Sequence, residues 1–332
     1  MKSSAKTQLG FSLAGWLALL LAATPAHAAN LLVGGYSLST YASGLPVDNQ
    51  ISGMTIDPAT RQIFYMGANT NGPLRRLDPG GAVTTLGTES PGTGFYPFIA
   101  TDIEYYNGNV FTCDSNGNLI KYSATVAGYS TLVTLAGFGL ESGITRVGST
   151  LYVSSGGTGA PGIILTADPV SALINFPNLP APISASSLEY DSVHNRLIVA
   201  SMNGGGFYTI DLGTKTLGSV FGAGVSGFEN FCVDPTGTSI FTRSFGTVLQ
   251  IDIATGAVNP FVNGLLDSGS EIEDSVFGPS SSGPGISLYI ADGDAIQEVS
   301  GFAPVPEPAA FASLALGAAT LAGFRRRGRE AV

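Results

Sequence analysis

Histidine and cysteine are scarce in this chain, with two of each among 332 residues. His27 lies in an N-terminal segment that has the features of a removable signal, so the body keeps only His194. Zinc sites built on histidine are therefore excluded for want of ligands. His194 lies in a predicted surface turn rather than in a cleft beside a serine. This position argues against a Ser-His-Asp triad and for a solvated side chain.

Basic residues are also few. The chain has 14 Lys and Arg against 24 Asp and Glu, and the two terminal segments contain six of the basic residues but only two of the acidic ones. The body keeps eight basic and 22 acidic residues, a net charge of −14. It has no basic patch to displace counterions from a nucleic acid or to bind an anionic lipid surface, so we exclude both as partners. Cation binding or simple solubility fits such a body.

Helical periodicity is lacking in the body. Glycine is abundant, with 45 residues in the chain, and β-branched and aromatic residues are spread evenly. This composition is typical of many short strands joined by tight turns. We therefore expect an all-β fold, and a body of this length can bury a full core without disulfides.

The N-terminus predicts a secretory signal helix over residues 1–28. Two lysines supply its positive charge, and the apolar run Phe11–Ala23 follows. Small residues at Ala26 and Ala28 predict that signal peptidase cuts between Ala28 and Ala29. The mature chain is therefore expected to be exported across the inner membrane.

The C-terminal segment, residues 304–332, contains three elements in order. These are Pro306, Glu307 and Pro308, then an apolar helix-forming run over 309–324, then Arg325, Arg326, Arg327 and Arg329. A run of that length makes about 24 Å of helix, which spans a bilayer marginally. The arginines are expected to stay on the cytoplasmic side, and the prolines to keep the triplet extended at the membrane surface.

This tail resembles the PEP-CTERM sorting signal of Gram-negative bacteria. The resemblance implies that an exosortase recognises Pro306–Pro308, removes the transmembrane helix, and releases or transfers the protein to the cell surface or the extracellular matrix. Such tails go with bacteria that produce exopolysaccharide, so polysaccharide is an expected partner by association. A plain C-terminal membrane anchor is the alternative.

The body, residues 29–303, repeats one unit six times at a spacing of 41 to 49 residues. Each unit begins with a first strand, followed by a turn and a second strand. The first strands are Gly53–Pro58, Asp102–Gly108, Gly143–Ser149, Ser187–Val193, Asn230–Gly237 and Glu273–Ser280. A third strand follows in each unit, and fourth strands such as Gly218–Ala223 and Ala257–Val262 close most of them.

Units of four strands and about 40 to 45 residues are typical of β-propeller blades, so we predict a six-bladed β-propeller. The sixth unit lacks a fourth strand, and Tyr36–Leu45 has no unit of its own. The N-terminal segment is therefore expected to complete the last blade. The pattern is similar to NHL-type and gluconolactonase-like propellers, best at Val233–Phe241. Seven blades or paired β-sandwiches are the alternatives.

This ring predicts the state of the two cysteines. Cys113 falls on the second strand of unit two and Cys232 on the first strand of unit five, and these units face each other across the channel. Their separation would exceed the roughly 7 Å limit for a disulfide. We expect two free, mostly buried thiols that behave as small apolar residues.

Carboxylates and one amide lie where the first strands begin, so they should surround one mouth of the central channel. Oxygens from Asp, Glu and Asn are the ligands that Ca²⁺ prefers. The resemblance to gluconolactonase-like propellers implies a divalent cation held by a Glu, an Asn and an Asp, with Glu229-Asn230 as the closest match. The candidate metal ligands are Glu104, Glu141, Glu229, Asn230, Glu273 and Asp274. A solvated acidic rim without a metal is the other interpretation.

Together these patterns favour an exported, exosortase-processed propeller that acts as a non-catalytic binding or scaffold module. No residue is assigned a catalytic role, and Ca²⁺ is the one cofactor that the sequence suggests. The alternative is a cation-dependent, lactonase-like hydrolase with its site at the acidic channel mouth.

Overall fold

The structure is a computed structural model. It describes residues 28–47, 50–67, 73–87, 102–113, 118–134, 143–154, 163–166, 173–175, 185–201, 205–225, 230–266 and 274–303. The predicted signal helix and the predicted tail helix over 309–324 lie outside these residues. Regular structure in the described residues consists of strands, beginning with β1 (Asn30–Leu31) and β2 (Ser37–Ala42).

Each predicted unit forms one antiparallel sheet, and the sheets are numbered here in chain order. Sheet one contains β3 (Ile51–Ile56), β4 (Ile63–Gly67), β5 (Leu74–Leu77) and β6 (Val83–Gly87). Sheet two contains β7 (Ile103–Tyr106), β8 (Asn109–Cys113), β9 (Asn118–Ser123) and β10 (Tyr129–Thr134). Sheet three contains β11 (Ile144–Val147), β12 (Thr150–Val153), β13 (Ile163–Thr166) and β14 (Leu173–Asn175).

The second half of the chain continues the pattern. Sheet four contains β15 (Ala185–Asp191), β16 (Arg196–Ser201) and β17 (Phe207–Asp211). Sheet five contains β18 (Phe231–Val233), β19 (Ser239–Ser244), β20 (Thr247–Asp252) and β21 (Val258–Asn263), with β1 at its edge. Sheet six contains β22 (Ser275–Pro279), β23 (Ile286–Asp292) and β24 (Ala295–Phe302), with β2 at its edge.

The first strands of the sheets surround a central channel. They contact one another in the order β3, β7, β11, β15, β18, β22 and back to β3. Sheets arranged radially around a channel in this way are the blades of a β-propeller, so the predicted all-β propeller class is confirmed.

The blades are unequal. Five of the sheets hold four or five strands, whereas sheet four holds three. The predicted fourth strand of that unit, Gly218–Ala223, is wrong. The segment after β17 makes only two isolated bridges, Phe207 with Phe221 and Ile210 with Leu217. Glycines at 218 and 222 are the physical reason, because glycine disfavours the regular extended conformation of a strand.

The N-terminal segment closes the ring. β2 pairs with β24 in antiparallel register, from Ser37 opposite Ser300 to Ala42 opposite Ile296, so the predicted completion of the last blade is confirmed. β1 adds a fifth strand to sheet five by pairing with β21, which the sequence did not predict. The N-terminal residues therefore protect the outer edges of two neighbouring sheets.

The described core lies at the seams between neighbouring sheets. Its buried hydrophobic residues form six clusters, one between each pair of adjacent sheets around the ring. The seam between sheets five and six is the most aromatic, with Phe241, Phe261 and Phe302 in mutual ring contact. Both cysteines are buried thiols within these seams and form no disulfide with each other, as predicted.

Candidate functional site

The central channel brings together four acidic side chains, Asp102, Glu104, Glu189 and Asp274. Side chains alternate along a strand, so residues two apart on the first strands face the channel in successive layers. The layer at the start of these strands contains Asp102, Ser187, Asn230 and Asp274. The next layer contains Thr55, Glu104, Thr145, Glu189, Cys232 and Val276. A cavity of about 250 Å³ lies at this second layer, lined by Glu104, Glu189 and Cys232 together with Arg146 and Phe277.

Acids in the first layer are used to join adjacent sheets. The backbone N–H of Ile144 in sheet three donates to Asp102 Oδ2 at 3.1 Å. The backbone N–H of Met54 in sheet one donates to Asp274 Oδ2 at 2.6 Å. Both acids are less than a tenth exposed. Each therefore satisfies a buried backbone donor that belongs to the next blade.

Asn230 joins more distant parts of the ring. The side-chain Nδ2 of Asn230 donates to the backbone carbonyl of Ser52, which lies in sheet one. The backbone carbonyl of Asn230 accepts from the Thr242 hydroxyl at 3.3 Å. The side-chain Oδ1 is buried and accepts no hydrogen bond from the residues that the structure describes. Asn230 thus reaches from sheet five past sheet six to sheet one.

The second layer continues the same pattern of contacts between sheets. Glu104 Oε1 lies 3.4 Å from Nε of Arg146, whose guanidinium stacks 4.7 Å from the centre of the Tyr106 ring. The Thr145 hydroxyl donates to Glu189 Oε2 at 3.3 Å. Glu104 thereby joins sheet two to sheet three, and Glu189 joins sheet four to sheet three.

Burial governs the charge of these acids. It raises the pKa of Asp102 to about 7 and that of Glu104 to about 8, although Arg146 partly offsets the second shift. Burial also raises the pKa values of Glu189 and Asp274 well above the ordinary range, and nearby carboxylates add to both shifts. Carboxyl groups this close cannot all ionise in a region of low dielectric constant. These shifts favour the protonated form of the channel carboxyl groups.

The Cys232 thiol faces the same cavity and lies 3.4 Å from the Ser275 hydroxyl. Burial raises its pKa well above the ordinary value. The thiolate is the nucleophilic form of cysteine, so this side chain is present as an unreactive thiol.

Three of the six candidate metal ligands can be placed. Asn230 and Asp274 lie in the first layer and Glu104 in the second, each already bonded to protein groups. Glu141, Glu229 and Glu273 lie outside the described residues. Within the described ranges no group of three or more His, Cys, Asp or Glu residues is arranged to hold a metal ion. The cation site remains a prediction, and the acids that the structure shows are contacts between blades.

Sequence reasoning missed Glu189 as a channel residue. A signal for it was present, because the first strands of units two and four share a Glu-Tyr pair, Glu104-Tyr105 and Glu189-Tyr190. Aligned repeats place the two glutamates at the same position of blades two and four, and therefore in the same layer. Asp102, which begins the first strand of unit two, occupies the same position as Asp274 in its own unit.

The sorting residues can be placed only in part. Pro306, Glu307, Pro308 and the four tail arginines lie outside the described residues. Ala28 and Ala29, the predicted cleavage pair, immediately precede β1, and the Asn30 side chain donates to the Ala28 carbonyl at 2.7 Å. Among the residues that the structure describes, no helix is long and apolar enough to cross a membrane.

Solved structures with the same architecture support the fold assignment. One is a structural genomics protein of unknown function from Bacteroides thetaiotaomicron, 14% identical, with a TM-score of 0.57 over 80% of this chain and 76% of that one. Another comes from a nidogen/laminin complex, 15% identical, with a TM-score of 0.52 over 68% of this chain and 93% of that one. No family model matches the chain, and no curated protein matches it significantly. At these identities the likeness shows the fold alone.

Proposed function

We propose that this protein is an exported, exosortase-processed β-propeller that acts as a non-catalytic binding or scaffold module at the cell surface or in the extracellular matrix. The ring of six sheets is the scaffold, and the loops at its two faces present the binding surface. Polysaccharide is the proposed partner. One of the similar solved structures comes from a complex of nidogen with laminin, and a binding role for this propeller is consistent with that example.

The observation that supports this proposal is that the channel acids bond neighbouring sheets to one another. Asp102 and Asp274 accept hydrogen bonds from backbone amides of the next sheet, and Glu104 pairs with Arg146 across another sheet boundary. A hydrolytic cation site needs several ionised carboxylates free to bind the metal. Acids whose pKa values are raised and that are bonded between blades serve instead to hold the ring together.

Export and processing rest on the two terminal segments. The signal over residues 1–28 and the tail over 304–332 bracket the propeller, with the Pro-Glu-Pro triplet directly after its last strand. Replacement of Pro306, Glu307 and Pro308 by alanine is expected to leave the tail uncut and the protein in the membrane fraction. Release of this variant to the same extent as the unaltered chain would contradict exosortase processing.

The binding function can be tested with the full chain exported from its own host. The purified protein is sedimented with extracellular polysaccharide from that host, heated with Ca²⁺ or a chelator, and assayed against a panel of lactones. We expect co-sedimentation with the polysaccharide, an unchanged melting temperature and no turnover. A Ca²⁺-dependent rise in melting temperature, with lactone hydrolysis that Glu104→Gln abolishes, would favour the hydrolase instead.

A further inference from the structure

A second cavity lies at the seam between sheets four and five, on the face that carries the turns between first and second strands. It has a volume of about 260 Å³ and is called the seam pocket here. Sheet four contributes His194 and Arg196, and sheet five contributes the rest. The lining residues are His194, Arg196, Gly237, Thr238, Asp252, Ile253 and Ala254.

Buried Asp191 fixes the two basic side chains of the seam pocket. Its Oδ2 lies 2.8 Å from His194 Nδ1 and accepts from Arg196 Nε, also at 2.8 Å, while Asp191 is only 1% exposed. Arg196 Nη2 donates to the Gly237 carbonyl at 3.1 Å. These bonds leave His194 Nε2 and Arg196 Nη1 available to a ligand, and the His194 side chain is 46% exposed.

Gly237 permits this close arrangement. Its φ of +68° is a conformation that favours glycine. A Cβ added there would lie 2.5 Å from Asp191 Oδ1 and 2.7 Å from His194 Nδ1. Any larger residue at position 237 would displace Asp191 and His194. Glycine is therefore the residue type that fits the contact between sheets four and five here.

Asp252 supplies the opposite wall. Its Oδ1 accepts from the backbone N–H of Thr255 at 2.7 Å and from the Thr255 hydroxyl at 2.8 Å. These bonds lower the pKa of Asp252, so it is ionised at neutral pH. Its second oxygen makes neither of these two bonds.

The charges of the seam pocket select the class of ligand. Asp191 and Arg196 form an ion pair, and two further carboxylates lie at the seam pocket: Asp252 in its wall, and Asp234, which accepts from the backbone N–H of the lining residue Thr238 at 2.7 Å. An anion would be repelled by Asp252 and by the acidic body. A metal ion needs more oxygen or nitrogen ligands than this wall offers. Hydroxyl groups fit, since each can donate to Asp252 and accept from Arg196.

We propose that the seam pocket binds a neutral sugar residue of a polysaccharide through two adjacent hydroxyl groups. The proposal rests on the binding function above and gives it a location. The volume is slightly below the roughly 300–1,000 Å³ of pockets for drug-sized molecules, which suits one sugar ring. Ile253 and Ala254 supply an apolar wall for the ring carbons, and His194 Nε2 can accept from a sugar hydroxyl when Nδ1 donates to Asp191.

His194 offers a specific probe, because it is the one histidine after the predicted signal cleavage site. The full chain is exported from a host fed with ring-labelled histidine, and the imidazole resonance is followed by NMR during titration with glucose, galactose, mannose and glucuronate. We expect a saturable shift with at least one neutral sugar and weaker binding of glucuronate. Asp252→Asn should weaken the neutral sugar about tenfold, because a charged acceptor is lost.

Asp211→Asn is the matched control. Asp211 caps the equivalent turn of sheet four through Thr214 just as Asp252 does through Thr255, but it does not line the seam pocket. Unchanged sugar affinity in this variant, with the loss in Asp252→Asn, supports the proposal. Equal affinity in both variants, or tighter binding of glucuronate, overturns it.

Co-sedimentation of polysaccharide with no imidazole shift would overturn the seam pocket and leave the binding function standing. Neither co-sedimentation nor a shift would overturn both. The titration of the unaltered chain tests sugar binding at the seam pocket even if Asp252→Asn fails to fold.

Discussion

Aspartates of the channel and aspartates of the surface turns belong to the same fold, but their pKa values are shifted in opposite directions. Asp102 and Asp274 are buried between sheets, and their pKa values are raised. Asp211 and Asp252 cap exposed turns, and bonds from Thr214 and Thr255 lower their pKa values. Both groups accept backbone hydrogen bonds, so the difference comes from desolvation.

Aspartate therefore has different structural roles in the turns and in the channel. In the turns, an ionised carboxylate bonds backbone and hydroxyl donors within a few residues of itself, which fixes the turn. In the channel, the carboxyl group reaches the next sheet, and its protonation avoids the cost of several buried negative charges. Local sequence therefore explains the turn acids, whereas only the closed ring explains the channel acids.

The largest expected effect is on the pH dependence of stability. The channel acids have raised pKa values in the folded state, so between about pH 4 and pH 8 the folded chain binds more protons than the unfolded chain. Their contribution is fully present at low pH and is lost as the pH rises through this range. We expect a melting temperature several degrees lower at about pH 8.5 than at about pH 5.

Glu104→Gln sharpens this test, because glutamine keeps the size of the side chain and cannot ionise. The variant should show a smaller fall in melting temperature over the same pH range than the unaltered chain. A melting temperature that rises steadily from about pH 5 to pH 8.5 would mean that the channel acids are ionised, against the arrangement described here.

The next largest effect is expected from Asp274→Ala. The variant leaves the buried N–H of Met54 without its acceptor and removes the contact between sheets six and one. An unsatisfied buried donor costs about 1–3 kcal/mol, so the free energy of unfolding from urea titration should fall by about that amount. Asp274→Asn, which keeps one acceptor oxygen, should lose less. Equal losses in the two variants would point to packing rather than the hydrogen bond.

Much of the fold could be predicted because each unit carries its own pattern. The fourth strand predicted over Ala257–Val262 is observed as β21 (Val258–Asn263), and β2 completes sheet six as predicted. The two-residue strand β1 could not be predicted, since it is too short to show alternation. Its pairing with β21 depends on the edge that sheet five leaves open.

The candidate site was less predictable for a related reason. Acids near the channel mouth could be identified from the starts of the first strands, and Asp274 and Asn230 do lie there. Their partners could not, because Met54 and Ser52 belong to another sheet more than 170 residues away in sequence. Which acid meets which amide depends on the stagger of neighbouring sheets, and the alternation within one strand carries no information about that.

The smallest expected effect on the melting temperature comes from removing an aspartate that caps a surface turn. Asp211→Ala removes the acceptor for the Thr214 N–H and hydroxyl, but both donors lie at the surface and can bond water instead. The melting temperature at neutral pH should therefore fall by only about 1–2 °C, well below the fall for Asp274→Ala.

The pH dependence of this variant gives a second test. The pKa of Asp211 is lowered in the folded state, so its contribution to stability is present above the pKa of the unfolded chain and disappears as the pH falls through the pKa of the folded chain. The difference between variant and unaltered chain should thus shrink below about pH 4, opposite to the behaviour of Glu104→Gln. A loss as large as that of Asp274→Ala would show that turn capping, rather than contact between sheets, dominates the stability of this ring.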